Sequence, residues 1–292
     1  MQPLKVLVLG SEGMLGSAVA SHLEAHGWTV SGTQRRNPLL PTYLNATGGA
    51  ESWRPQLARA EGGFIINCVG ILKAETGEDR PQAILNAIEV NAAFPHRMAV
   101  AAASVGAKLI HVSTDGVFSA RKSEPYTESD PPNCDDHYGR TKCLGECPAA
   151  NVLNIRCSVI GRDGRKRKGL LEWVLRLPDG TEVQGFRNQT WNGVTTLQFA
   201  EMCSNLMSSG RFEEARRASA VHHFCPNSAT TKYDLLCVWS QVSGKRITVR
   251  PVDGPDGGRL LATRYPFLDS VYPYRPEWRD LLAELTRLNS RD

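Results

Sequence analysis

Long apolar runs are missing from this chain. Its apolar stretches are strand-length, far short of the roughly 20 residues that a membrane-spanning helix needs, so no membrane partner is expected. An excess of one charge is missing too. With 34 Lys and Arg against 30 Asp and Glu, the net charge of +4 over 292 residues does not point to nucleic acid. The eight cysteines (Cys68, Cys134, Cys143, Cys147, Cys157, Cys203, Cys225 and Cys237) include no Cys-x-x-Cys pair. No histidine or carboxylate completes a metal-ligand set around them, so free thiols and no metal site are expected. The start, Met1-Gln2-Pro3-Leu4-Lys5, lacks the charged, apolar and cleavage-site regions of a signal peptide, so a cytoplasmic location is expected. There is no internal repeat.

What is present is alternation. Leu4 to Leu9 is continuously apolar, as in a strand buried on both faces. Leu15, Val19 and Leu23 follow at helical spacing, and Gly27 stops that helix. Further strands are expected at Thr29 to Gly32, Gly63 to Gly70, Lys108 to Ser113 and Val152 to Arg156, with helices from Glu89 to Ala107 and from Tyr138 to Glu146. This order predicts an α/β fold, a Rossmann-type doubly wound parallel sheet. The later part is less regular and richer in proline and aromatics. It predicts a smaller, partly discontinuous C-terminal lobe for substrate. The expected division is residues 1–156 with about 191–224 for the sheet domain, and about 157–190 with 225–292 for the lobe.

Three features carry chemistry, and their order along the chain gives them weight. Gly10, Gly13 and Gly16 form Gly-x-x-Gly-x-x-Gly directly after a strand and into a helix. A pyrophosphate rests against backbone N–H groups at such a helix start, and side chains there would hold it away. After the second strand comes Thr33-Gln34-Arg35-Arg36, with no acid to bind ribose hydroxyls. Arginine suits a 2′-phosphate, so NADPH is expected, with NADH as the alternative. Tyr138 and Lys142 stand at i and i+4, on one helix face. A phenol with its ordinary pKa of about 10 exchanges protons poorly near neutrality, and a cation beside it would lower that value. Tyr138 is therefore expected as general acid, Lys142 as its electrostatic partner and a ribose ligand, and Thr114, at a strand end, as the hydroxyl that polarises a carbonyl. A lone Tyr-x-x-x-Lys is common on surface helices; the glycine turn and Ser113-Thr114-Asp115 upstream give it meaning.

These segments, with Asn67-Cys68-Val69-Gly70, Asn91, Tyr126-Thr127-Glu128, Trp191-Asn192-Gly193-Val194-Thr195-Thr196 and Thr231 to Leu236, resemble the extended short-chain dehydrogenase/reductases. Within them the chain is most similar to the dTDP-4-dehydrorhamnose reductase group of sugar-nucleotide reductases. The resemblance implies reduction of a nucleotide-diphosphate-linked 4-keto-6-deoxy sugar and assembly as a homodimer. It extends the cofactor set to Glu12, Met14, Leu15, Asn45, Cys68, Val69, Gly70, Asn91 and Ser113, beside Gly10, Gly13, Gly16, Arg35, Arg36, Tyr138 and Lys142.

The substrate set is Thr114, Gly116, Tyr138, Arg165, Lys168, Trp191 and Asn192. Gly116 departs from the group, where a bulky residue is usual, and is expected to remove a wall near the sugar. The strand from Ile155 to Ile160 lacks the aromatic that the rhamnose enzymes carry near there, and the loop Arg162 to Lys168 is unusually basic, suited to a diphosphate. No histidine is given a catalytic role. A competing reading stays open: the non-catalytic beta subunit of methionine adenosyltransferase resembles the same group and can keep Tyr-x-x-x-Lys. An epimerase is disfavoured, because such enzymes hold NAD and usually carry an acid after the second strand.

Overall fold

The structure, a computed structural model, describes residues 5–163, 169–255 and 257–287. Lys5–Leu9 forms β1 and passes through the glycine turn into α1, Met14–Ala25. Then come β2 (Thr29–Gly32), β3 (Phe64–Asn67), β4 (Lys108–Thr114), β5 (Val152–Cys157) and β6 (Val221–His223). They build one six-stranded sheet in the order β6-β5-β4-β3-β1-β2, parallel at every pairing.

Alternation of side chains along the strands explains why they are apolar at successive positions. Val6 and Val8 join Phe64, Ile66, Ile110 and Leu153 in one core, while Leu7 and Leu9 join Ile65, Leu109 and Val152 in another on the opposite face. Each such side chain contributes about 1.5–3 kcal/mol when fully buried. Neither face of the sheet can be left wet.

The expected helix from Glu89 begins earlier and is not uniform. Pro81–Ala87 forms α2, Ile88–Ala93 is a π-helical turn, and Phe94–Ser104 forms α3. Pro81 suits a first helical position, where its missing N–H is no loss. The wide turn presents Asn91 inward, fully buried; such turns often mark working parts of helices. His137–Leu144 forms α4, and Thr196–Ser208 forms α5, which packs its Phe199 and Cys203 into the core that holds Val19 and Leu23 of α1.

From β1 the chain goes to β2 on one side and to β3 on the other. That reversal opens a crevice at the carboxyl ends of β1 and β3, where open α/β sheets take ligands. Among the described residues no strand lies beyond β2. The chain there runs through loops, with an isolated bridge between Gln34 and Tyr43.

A separate apolar cluster gathers Leu171, Val174, Leu235, Trp239, Trp278 and Leu282, beside a two-stranded parallel pair, Glu182–Phe186 with Thr248–Val252. Leu268, Val271 and Tyr272, which the sequence division assigns to the lobe, are buried in the sheet's own core.

Candidate active site

The glycine turn is built as the spacing requires. Gly10 takes a φ of +75°, a conformation that side chains disfavour, and its N–H donates to Thr33 Oγ1 at 3.1 Å. A Cβ on Gly16 would stand 2.2 Å from the Gly10 carbonyl oxygen, so α1 can approach the turn only without one. A Cβ on Gly13 would meet nothing nearer than that same oxygen, at 3.4 Å. It would fill open space above a helix start that no side chain caps. Bare amides under an open surface fit a phosphate-bearing ligand. Glu12, Met14 and Leu15 line this turn half-buried.

Around it the expected cofactor residues divide. Cys68, Val69 and Gly70 follow β3 at the crevice, with the Val69 N–H held by Asn67 Oδ1 at 3.1 Å. Burial pushes the Cys68 thiol up to about 12, against the pull of Lys142. Arg35 is exposed, and Arg36 lies 3.7 Å from Glu12. Asn45 is exposed, with its side-chain oxygen turned to Thr47. Asn91 bonds both the N–H and the carbonyl of Ile71, at 2.8 and 3.0 Å, and reaches Thr141 on α4 at 3.2 Å. It fixes the loop after β3 to the helix that carries Tyr138. The Ser113 hydroxyl donates to Glu146 at 2.6 Å, so in this structure it faces the protein rather than the crevice.

The structure brings Thr114 and Tyr138 together, with Lys142 one turn further along the same helix. Thr114 ends β4; its hydroxyl accepts from the Gly116 N–H at 3.0 Å and donates to Asp115 at 3.2 Å. Asp136 caps α4 by accepting from the Gly139 N–H at 2.7 Å. A Cβ on Gly139 would sit 2.2 Å from the Gly116 carbonyl oxygen, so α4 lies directly on the turn after β4. That approach sets the Tyr138 phenol beside Thr114. Burial pushes the phenol up to about 12, a hydrogen bond with Thr114 pulling the other way and the Asp115 carboxylate adding to the rise. The lowering expected from Lys142 is not what is found: the phenol is pushed up, because desolvation disfavours a phenolate there. Lys142 donates to the Val112 carbonyl at 2.6 Å. Burial brings its ammonium down to about 8, with Glu146 opposing that fall.

Glu146 was invisible as a partner in the sequence beyond its i+4 spacing from Lys142. Its carboxylate accepts a two-pronged bond from Arg156, at 2.7 and 2.8 Å, as well as the Ser113 hydroxyl. Both charged side chains are nearly sealed, at 5 % and 8 % exposure. Gly116 lies against Tyr138. A Cβ there would lie 3.0 Å from Cε1 of Tyr138, so the missing side chain makes room for the phenol ring itself.

On the lobe side, a pocket of about 370 Å³ is lined by Lys73, Phe118, Arg121, Asp135, Asp136 and Arg259, among others. Lys73 pairs with Asp136 at 2.7 Å, and Arg121 pairs with Asp135. Arg259 donates to the Phe118 carbonyl at 2.7 Å, and its charge counters the rise that burial imposes on Asp115. No sequence signal marked Arg259. The expected substrate residues Trp191 and Asn192 are engaged within the protein: Trp191 stacks on Trp278 at 5.1 Å, and the Asn192 amide clamps both backbone groups of Leu261. Arg165 and Lys168 lie outside the described residues.

A glycine turn at the switch point, with Thr114 at the end of β4 and Tyr138 and Lys142 on the helix beside it, marks an extended short-chain dehydrogenase/reductase. Residues 4–256 match the family model described as the RmlD substrate binding domain, and the chain belongs to that family. It is 33 % identical to the methionine adenosyltransferase 2 subunit beta of Xenopus tropicalis over 80 % of this chain and 70 % of that protein. It is 26 % identical to the dTDP-4-keto-6-deoxy-D-glucose reductase of Streptomyces niveus, covering 87 % and 85 %. The fold is shared with the dTDP-4-dehydrorhamnose reductase of Bacillus anthracis solved in complex with NADP, with a TM-score of 0.78, 18 % identity and 99 % of each chain covered.

Proposed function

We propose that this protein reduces the 4-keto group of a nucleotide-diphosphate-linked 4-keto-6-deoxy sugar with NADPH, and that Tyr138 is the general acid. The observation that carries the reading is the phenol of Tyr138, half-buried and desolvated beside Thr114 at the carboxyl end of β4. A proton donor must keep its proton until an alkoxide develops, and burial keeps this one in place. Bound NADPH supplies the hydride. The Thr114 hydroxyl, turned from Asp115 toward the substrate oxygen, polarises the carbonyl. As Tyr138 gives up its proton, Lys142 offers the positive charge that stabilises phenolate, and Glu146 keeps that charge on the ammonium despite burial. Gly10, Gly13 and Gly16 give backbone access to a pyrophosphate, and Arg35 with Arg36 are the cations available to a 2′-phosphate. The sugar-nucleotide class rests on the family and on relatives such as the Streptomyces niveus reductase.

The similarity to the Xenopus tropicalis subunit supports a second reading, a non-catalytic partner subunit that binds the nucleotide. The two separate in one experiment: nicotinamide absorbance followed with freshly made dTDP-4-keto-6-deoxy sugars, in the wild type and in Tyr138→Phe. Turnover that vanishes in the variant carries the reductase. Tight NADPH binding without turnover, across sugars and bases, carries the subunit.

A further inference from the structure

The segment after β2 contains no acid, yet the fold delivers one to the same spot from elsewhere. Glu12, inside the glycine turn, reaches the end of β2, where its Oε2 lies 3.7 Å from Nε of Arg36. The turn is tied to that strand. The N–H and the hydroxyl of Ser11 both donate to the Thr33 carbonyl, at 3.1 and 3.0 Å, and the Gly10 N–H donates to the Thr33 hydroxyl. A Cβ on Gly32 would stand 2.4 Å from Ser11 Oγ, so β2 and the turn meet without a side chain between them. Gln34 fixes the other member: its side-chain oxygen accepts from the backbone N–H groups of Arg36 and Asn37, at 2.6 and 2.9 Å. The carboxylate and the guanidinium thus come from two anchored pieces of backbone, and both remain partly open, at 29 % and 57 % exposure.

We infer that Glu12 and Arg36 form an opposed pair that sets the choice between NADPH and NADH. Arg36 attracts a 2′-phosphate. Glu12 repels it and offers an acceptor to ribose hydroxyls, the part an acid at the end of the second strand plays in NAD-preferring proteins. The chain therefore takes both nucleotides, with a preference for NADPH that is muted by Glu12. The inference rests on the cofactor assignment of the proposed function.

The test is equilibrium binding of NADPH and of NADH to the full chain, read by calorimetry, for the wild type, Glu12→Gln and Arg36→Gln. Removing the carboxylate should raise the NADPH-over-NADH affinity ratio about tenfold, and removing the guanidinium should lower it by a similar factor. Both shifts should shrink at about 1 M salt, because charges this exposed are screened. An unchanged ratio in Glu12→Gln, with both nucleotides still bound, overturns the inference and leaves the reductase reading standing. A wild type that binds neither nucleotide overturns both.

Discussion

At the β4 end of the crevice the charged groups are sealed and cross-linked; at the β2 end they are open and loosely paired. Lys142 is 5 % exposed, and the Glu146–Arg156 pair behind it is nearly as buried. Arg36 and Glu12, by contrast, are 57 % and 29 % exposed and 3.7 Å apart. Charges near water interact through a high effective dielectric, while buried ones act strongly and are costly to leave unpaired. On the proposed reading, reactivity and selectivity would be set by different physics at the two ends. Changes at the first end should act on turnover by large factors, and changes at the second should act on preference by small ones.

The largest effect should come from Tyr138→Phe. Turnover should fall by about 100-fold or more, as for loss of a general acid, with NADPH affinity kept. Equal activity in that variant would end the mechanism. Next is Lys142→Met, which should depress turnover while making the fold more stable at pH 7 by about 1–3 kcal/mol, because a buried cation is replaced by an apolar chain of similar length. The sign follows from linkage. The ammonium titrates at about 8 in the folded protein against 10.5 ordinarily, so between these values the unfolded chain binds the extra proton. Wild-type stability should thus rise across that window, and the rise should be missing from the methionine variant. Denaturant melts at a series of pH values would show it.

A milder disturbance of the same end is Gly116→Ala. Its Cβ would press on the Tyr138 ring at 3.0 Å, and displacing a positioned proton donor should lower kcat by about tenfold. An alanine variant with full kcat would return Gly116 to the role of a simple gap beside the sugar. The smallest effect on turnover belongs to the open end. Arg35→Ala combined with Arg36→Ala should weaken NADPH about tenfold more than NADH. An unchanged preference would move the 2′-phosphate contact away from these side chains and erase the contrast between the two ends.

Much of the crevice was legible because its signals are local. A strand, a glycine turn and a helix occupy Lys5 to Ala25 without interruption, and Tyr138 and Lys142 are one helical turn apart. Both faces of the sheet could be expected to be covered, because β1 is apolar at successive positions. The early start of α2 at Pro81 was harder to see. Helix boundaries depend on first-turn geometry more than on the Ala-rich pattern that follows.

The sequence by itself determined the alternation of strands and helices, the glycine turn and the spacing that puts Tyr138 and Lys142 on one helix face, since each needs only neighbours a few residues away. Tertiary structure alone decided what those groups became. It joined Ser113, Glu146 and Arg156 into one buried network, tied Asn91 to Ile71 and Thr141, and brought Glu12 to Arg36. It also held the phenol up where a nearby cation was expected to bring it down. Burial and charge partners are properties of residues far apart along the chain, and they come into being only when the fold closes.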